Sequence, residues 1–205
     1  MMEHNMLIDP LPKIVYVGGA PYAINSDFRI TIAFEILMQD PEIEDAQKAR
    51  KALELYYPLI PHDLDDAVDQ IMWFYQGGKK YRQEQAQRSG ALGPDGEQRI
   101  YSFEHDDDYI YAAFLSQYHV DLQKAPYMHW WKFRAMFHSL RSDTKISEIM
   151  GYRSMKLDGK MTAEQRSYYQ KMKDLYALPM PADEIEKADA IANALMNGGD
   201  LSGLL

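Results

Sequence analysis

Tyr127-Met128-His129-Trp130-Trp131-Lys132-Phe133-Arg134-Ala135-Met136-Phe137-His138-Ser139-Leu140 is the stretch on which the fold turns. On a helix turning about 100° per residue, Trp130, Phe133, Phe137 and Leu140 fall on one face. A stripe of such large rings needs a core to bury it, so this segment reads as the central helix of the second half of the chain. Upstream, Ile110, Ala113, Phe114 and Tyr118 repeat at helical spacing. That helix follows Arg99-Ile100-Tyr101-Ser102-Phe103 and the acidic cluster Glu104, Asp106, Asp107, Asp108. Acidic groups suit a helix start, where they complement the positive end of the dipole and accept from unpaired N–H groups. Downstream, shorter helices are expected over 145–153 and 163–176, the second presenting Tyr168, Met172 and Leu175 before Pro179 and Pro181. A last amphipathic segment, 183–196, carries Ile185, Ala188, Ala192 and Leu195.

The first half opens with Ile14-Val15-Tyr16-Val17 and Tyr22-Ala23-Ile24 on either side of Gly18-Gly19-Ala20-Pro21, a small β-hairpin. Ser26 or Asp27 can cap a helix carrying Phe28, Ile32 and Ile36, with Ala33 and Leu37 beside them, which ends at Asp40-Pro41. A second helix, 42–57, puts Ile43, Ala46, Ala49, Leu53 and Tyr56 on one stripe until Pro58 and Pro61 break it. Asp63 caps a third, which carries Leu64, Ala67, Val68, Ile71, Met72 and Tyr75 and stops at Gly77-Gly78. The fold class is therefore mainly α, a multi-helix bundle with a small N-terminal β-hairpin. Four segments follow: 1–78, hairpin plus helices; 79–98, a polar linker rich in Gly and small residues whose first part, Tyr81 to Gln87, could extend the preceding helix; 99–178, helices around an aromatic core; 179–205, an amphipathic helix and tail.

The chain has no cysteine, which removes disulfides, thiolate metal sites and Cys nucleophiles. Its 31 acidic and 22 basic residues give a net charge of −9, which repels phosphate backbones and anionic headgroups. Nucleic acid and membrane are therefore not expected as partners, and neither a signal peptide nor an apolar run of about 18 residues is read. The basic cluster Lys79, Lys80, Arg82, Arg88 reads as a solvated loop.

Enzymatic signals are thin. His105 and Asp106 to Asp108 with His119, Asp121, His129 and His138 invite a metal or acid–base reading. His129 and His138 nevertheless stand nine apart, which does not aim two ligands at one ion from a helix. No phosphate-binding loop and no Gly-x-Ser-x-Gly elbow is present. No catalytic residue, cofactor or metal is assigned. Aromatic runs are more informative: Trp73-Phe74-Tyr75, Trp130-Trp131 and Tyr168-Tyr169 supply more rings than one core face per helix absorbs. Adjacent residues point about 100° apart, so one of Trp130 and Trp131 can line the core while the other meets a boundary, although burial of both is the default. The 13 methionines suit adaptable apolar surfaces as well as ordinary cores.

A wider set of motifs carries a resemblance. It comprises Leu11-Pro12 with the hairpin, Asn25-Ser26-Asp27-Phe28-Arg29, Leu53-Glu54-Leu55-Tyr56-Tyr57-Pro58, Trp73-Phe74-Tyr75 and Tyr101-Ser102-Phe103-Glu104. It continues through Tyr109-Ile110-Tyr111-Ala112-Ala113-Phe114, Tyr118, Val120-Asp121-Leu122, His129-Trp130-Trp131-Lys132-Phe133-Arg134 and Ile149-Met150-Gly151-Tyr152-Arg153. In this order they resemble the bacteriophage gene-product-fifteen family, found in tail gene clusters of long-tailed phages and prophages. The resemblance implies a tail-assembly chaperone working in the host cytoplasm, by analogy with proteins encoded between the major tail protein and the tape-measure protein. It brings no catalytic residues. The implied partner is the tape-measure protein, with the major tail protein and self-association as further options. The surface for it is expected on the second half, near Tyr111, Tyr118, Trp130 or Trp131, with the 183–196 segment second. A structural component kept in the virion is the alternative, and a metal-dependent enzyme the third reading.

Overall fold

A computed structural model describes residues 4–79 and 99–179. The expected linker, the Tyr81 to Gln87 extension and the 183–196 amphipathic segment lie outside the described residues. Strand β1 (Ile14–Val17) pairs antiparallel with β2 (Ala20–Ala23), Val17 opposite Ala20. The turn is Gly18-Gly19 alone, at φ +58° and +80°, the positive angles a two-residue hairpin turn demands. The second strand thus begins two residues earlier than the spacing suggested, and Pro21 sits inside it opposite Tyr16. A two-stranded sheet consists of edges, where a missing N–H costs nothing.

Seven helices follow among the described residues: α1 (Phe28–Gln39), α2 (Asp45–Tyr56), α3 (Leu64–Tyr75), α4 (Asp107–Tyr118), α5 (Trp130–His138), α6 (Lys145–Ser154) and α7 (Ala163–Leu175). The bundle with an N-terminal hairpin is the architecture the sequence pattern implied. Asp27 caps α1 by accepting from Arg29 N–H, and Asp63 caps α3 by accepting from Asp66 N–H. Helix α2 starts three residues later than expected, because Asp40 Oδ1 accepts from Glu42 N–H and holds the chain in a turn there. At the start of α4, Asp107 and Asp108 occupy the first turn, whereas Asp106 turns inward. There it binds Arg153 of α6 in a buried bidentate pair, Nη1 to Oδ2 at 2.6 Å and Nη2 to Oδ1 at 2.9 Å. Arg153 also donates to the carbonyls of Ile100 and Tyr176, so one guanidinium joins the 99–106 segment, α6 and the end of α7.

The two halves expected from the sequence share a single core that runs from Val15 to Ile146. Phe133 is its hub: fully buried, it stacks on Phe28 and on Phe114, each at 4.8 Å between centroids, so α5 is held between α1 and α4. The buried stripe of α1 is Phe28, Thr31, Phe34 and Glu35, not Phe28, Ile32 and Ile36, and Ala33 is exposed. Two polar residues take core positions because partners reach them: Tyr56 donates to Thr31 Oγ1 at 3.0 Å and Tyr75 to Glu35 Oε2 at 2.9 Å. Among the described residues no helix is long and apolar enough to cross a membrane.

Candidate functional site

The helices α1 and α5 begin side by side, clasped by backbone. Phe28 N–H donates to Met128 O at 2.9 Å and Trp130 N–H to Ser26 O at 2.8 Å, around a bridge between Asp27 and His129. His129 caps α5 by accepting from Trp131 N–H on Nδ1, so its Nε2 carries the proton and donates to Pro12 O at 2.9 Å. Burial holds this ring's pKa below its ordinary value, which keeps it neutral in that role.

From this start, both tryptophans run to the end of α3. Trp130 Nε1 donates to Tyr75 O at 2.8 Å and Trp131 Nε1 to Phe74 O at 2.7 Å. Both carbonyls lie in the last helical turn, which lacks the regular i+4 donors, and Phe74 O also accepts from Gly77 N–H at 3.0 Å. Gly77 and Gly78 leave the helix at φ +82° and +74°, and Gly78 lies directly against the Trp131 ring. Burial of both, the default for such a pair, is what the fold shows, and neither ring takes the boundary position: Trp130 is 4% and Trp131 1% exposed. Each indole N–H finds its acceptor inside the fold, so neither ring needs solvent or a partner.

Tyr111 and Tyr118 are half-buried, and both hydroxyls are used within the chain. Tyr111 donates to Asp121 Oδ1 at 2.9 Å and Tyr118 to Met136 O at 2.8 Å. The structure thus does not bring Tyr111, Tyr118, Trp130 and Trp131 together as an open apolar patch. The histidines and aspartates that invited a metal reading are likewise dispersed. Asp106 pairs with Arg153, His129 caps α5, and His119 ends α4 in the left-handed region at φ +54°. Among the described residues no three of His, Cys, Asp and Glu converge to hold a metal ion.

The most perturbed acid is Glu35, which sequence reasoning did not single out. Burial raises its pKa to about 7 against the opposing hydrogen bonds of Tyr75 and Tyr101, and Arg99 lowers it less. Burial and the Glu35 charge in turn hold both tyrosines well above the ordinary phenol range. At 3% exposure the carboxyl is closed to any substrate, so this cluster belongs to the core.

What stays open is apolar and lies mostly on the first half. Helix α3 buries Ala67, Ile71 and Phe74 but leaves Leu64, Val68 and Met72 at 50%, 36% and 39% exposure. These three follow each other at i, i+4, i+8, a continuous row about 12 Å long. At about 100° per residue, Asp65 and Asp69 form a parallel row beside them, both exposed. Asp63 and Asp66 belong to the same helix but are engaged, one as the cap and the other accepting from Gly18 N–H at 2.6 Å. Leu59 and Ile60 stand exposed on the loop leading into the helix. Helical spacing alone places Leu64, Val68 and Met72 on one stripe with Ala67 and Ile71. The width of the arc was the available signal: from Phe74 through Met72 the apolar positions span about 160°, more than the roughly 100° that facing one core requires.

A second open surface is α7, none of whose residues is buried. Arg153 Nε donates to Tyr176 O, Lys173 Nζ donates to the carbonyls of Arg153 and Met155, and Tyr152 stacks on Tyr176 at 6.0 Å. Tyr168 and Leu175 stay exposed, and a shallow depression runs along Met161, Arg166 and Gln170.

A family model described as bacteriophage Gp15 protein matches residues 7–178. No curated protein and no solved structure matches the chain.

Proposed function

The chain belongs to the bacteriophage Gp15 protein family, and from that membership we propose that it serves virion morphogenesis as a tail-assembly chaperone for the tape-measure protein. A long helical tape measure exposes apolar faces until the tail tube encloses it, and such faces need temporary cover. The observation that carries this reading is the outer row of α3. Leu64, Val68 and Met72 remain in solvent although the core beneath them is closed, and a continuous apolar row on a rigid helix is a binding surface rather than unfinished packing. The reading is of a binding protein, not an enzyme, with the tape-measure protein as principal partner and the major tail protein as a second, working in the host cytoplasm where tails are built.

The test is co-expression with the tape-measure protein of the same tail gene cluster, followed by affinity capture and size-exclusion chromatography. A soluble complex that forms only when both chains are present supports the reading. A tape measure that stays insoluble, with this protein recovered alone, ends it. Recovery of the protein in purified particles would instead make it a structural component of the virion, and a stoichiometric metal with hydrolytic activity would make it an enzyme.

A further inference from the structure

We propose that the outer face of α3 receives one helix of a partner protein, a helix whose apolar stripe is bordered by lysine or arginine. The inference rests on the binding role proposed above and names the chemistry of what is bound. The row Leu64, Val68, Met72 offers three side chains at successive turns, the pattern that packs against i, i+3 or i+4, i+7 anchors of a helix laid alongside. Its border selects the charge. Helix α3 contains Asp65, Asp66 and Asp69, is preceded by Asp63, and carries no lysine or arginine. Asp63 and Asp66 are held by hydrogen bonds within the fold, which leaves Asp65 and Asp69, one turn apart and exposed, forming no ion pair among the described residues. Two carboxylates at i, i+4 match two cations at the same spacing on a neighbouring helix.

The same border argues against other occupants. A second copy docked antiparallel by twofold symmetry on this face would set the Asp65 and Asp69 carboxylates of the two copies against each other. Anionic lipid and nucleic acid meet that row and a net charge of −9. The face is also pre-formed. Asp66 ties the start of α3 to the hairpin at Gly18, and the indoles of Trp130 and Trp131 hold its end, so docking requires no ordering of the helix.

The experiment measures binding of the co-expressed tape-measure protein to the full chain and to two double variants at exposed positions. One variant is Val68→Glu with Met72→Glu, and the other is Asp65→Lys with Asp69→Lys. Circular dichroism and melting are compared with the unaltered chain to show that both still fold. The first variant is expected to bind at least about tenfold more weakly, because charges enter the apolar row. The second is expected to lose about tenfold and to bind with a flatter salt dependence, because attraction becomes repulsion. If the unaltered chain captures the tape measure and neither folded variant changes the affinity, the face is wrong while the chaperone reading stands. Loss in the glutamate variant alone keeps the face but overturns the basic occupant, and a dimer of this chain broken by the same variant overturns it in favour of a second copy. If the unaltered chain binds no tape measure, the underlying reading fails and this inference with it.

Discussion

Replacing Gly78 by alanine adds one methyl group at the joint between α3 and α5, where there is no room for it. A Cβ at Gly78 would lie 2.9 Å from Trp131 Cζ2, 3.2 Å from Cζ3 and closer still to Cη2. The indole cannot swing aside cheaply, since Trp131 is 1% exposed and its N–H is spent on Phe74 O at 2.7 Å. Two costs add. The left-handed backbone at φ +74° costs an L-residue roughly 1–2 kcal/mol. Overpacking against a fixed ring costs about 1–3 kcal/mol more. Gly78→Ala should therefore lose about 2–5 kcal/mol. Gly19→Ala supplies the control, because Gly19 is also left-handed, at φ +80°, but has nothing within 4 Å of the added carbon. It should lose only the conformational part, roughly 1–2 kcal/mol. Urea unfolding of both variants, with midpoints compared at equal slope, separates the terms. Equal losses in the two variants, or a smaller loss in Gly78→Ala, would refute the claim that the Trp131 ring is rigidly placed.

Glu35→Gln tests the buried acid. The folded protein holds the Glu35 proton up to about pH 7, whereas an ordinary glutamate loses it near 4.5. Stability from this group is thus fully present below the lower value and is lost as pH rises through the upper one, by about 3 kcal/mol. His138, kept neutral down to about pH 4 by burial and by Arg134, acts in the opposite sense, its contribution being lost as pH falls from 6.5 toward 4. Part of the residue stays in contact with solvent, so that contribution is screened and smaller. Unfolding midpoints at about pH 5 and about pH 8 should fall with pH in the unaltered chain but not in Glu35→Gln, and parallel curves would remove the acid from the account. Arg153→Ala leaves Asp106 buried without its partner and should cost about 3–5 kcal/mol in urea unfolding, with faster hydrogen exchange in α7. A loss under about 1 kcal/mol would mean that water reaches the carboxylate. His119→Gly, at the left-handed end of α4, should raise the melting temperature through a gain of about 0.5–1 kcal/mol. No gain would show that the φ of His119 relaxes in solution.

Elements governed by local chemistry were readable from the sequence. Gly18-Gly19, Asp27, Asp63 and Gly77-Gly78 each do in the fold what their residue types prescribe, because turns and caps depend on neighbours along the chain. Positions governed by a distant element were not. Thr31 and Glu35 look like surface residues of α1 until Tyr56 and Tyr75 arrive to bond them. Burial of both Trp130 and Trp131 is the default, but nothing along the chain says that the last carbonyls of α3 accept their N–H groups. The open row on α3 was hidden for a related reason. Periodicity shows that Leu64, Val68 and Met72 lie on one arc with Ala67 and Ile71, but not which part of so wide an arc the hairpin and the core leave uncovered. The family, by contrast, was readable from motifs spread over most of the chain.

All three tryptophans of this chain, Trp73, Trp130 and Trp131, meet at the end of α3, with Trp73 and Trp131 5.5 Å apart. Intrinsic fluorescence excited at the indole band therefore reports on one joint and on nothing else in the molecule. Any strain that a bound helix transmits along α3 arrives where every indole emitter sits, so the protein carries an unlabelled optical gauge of its own docking surface.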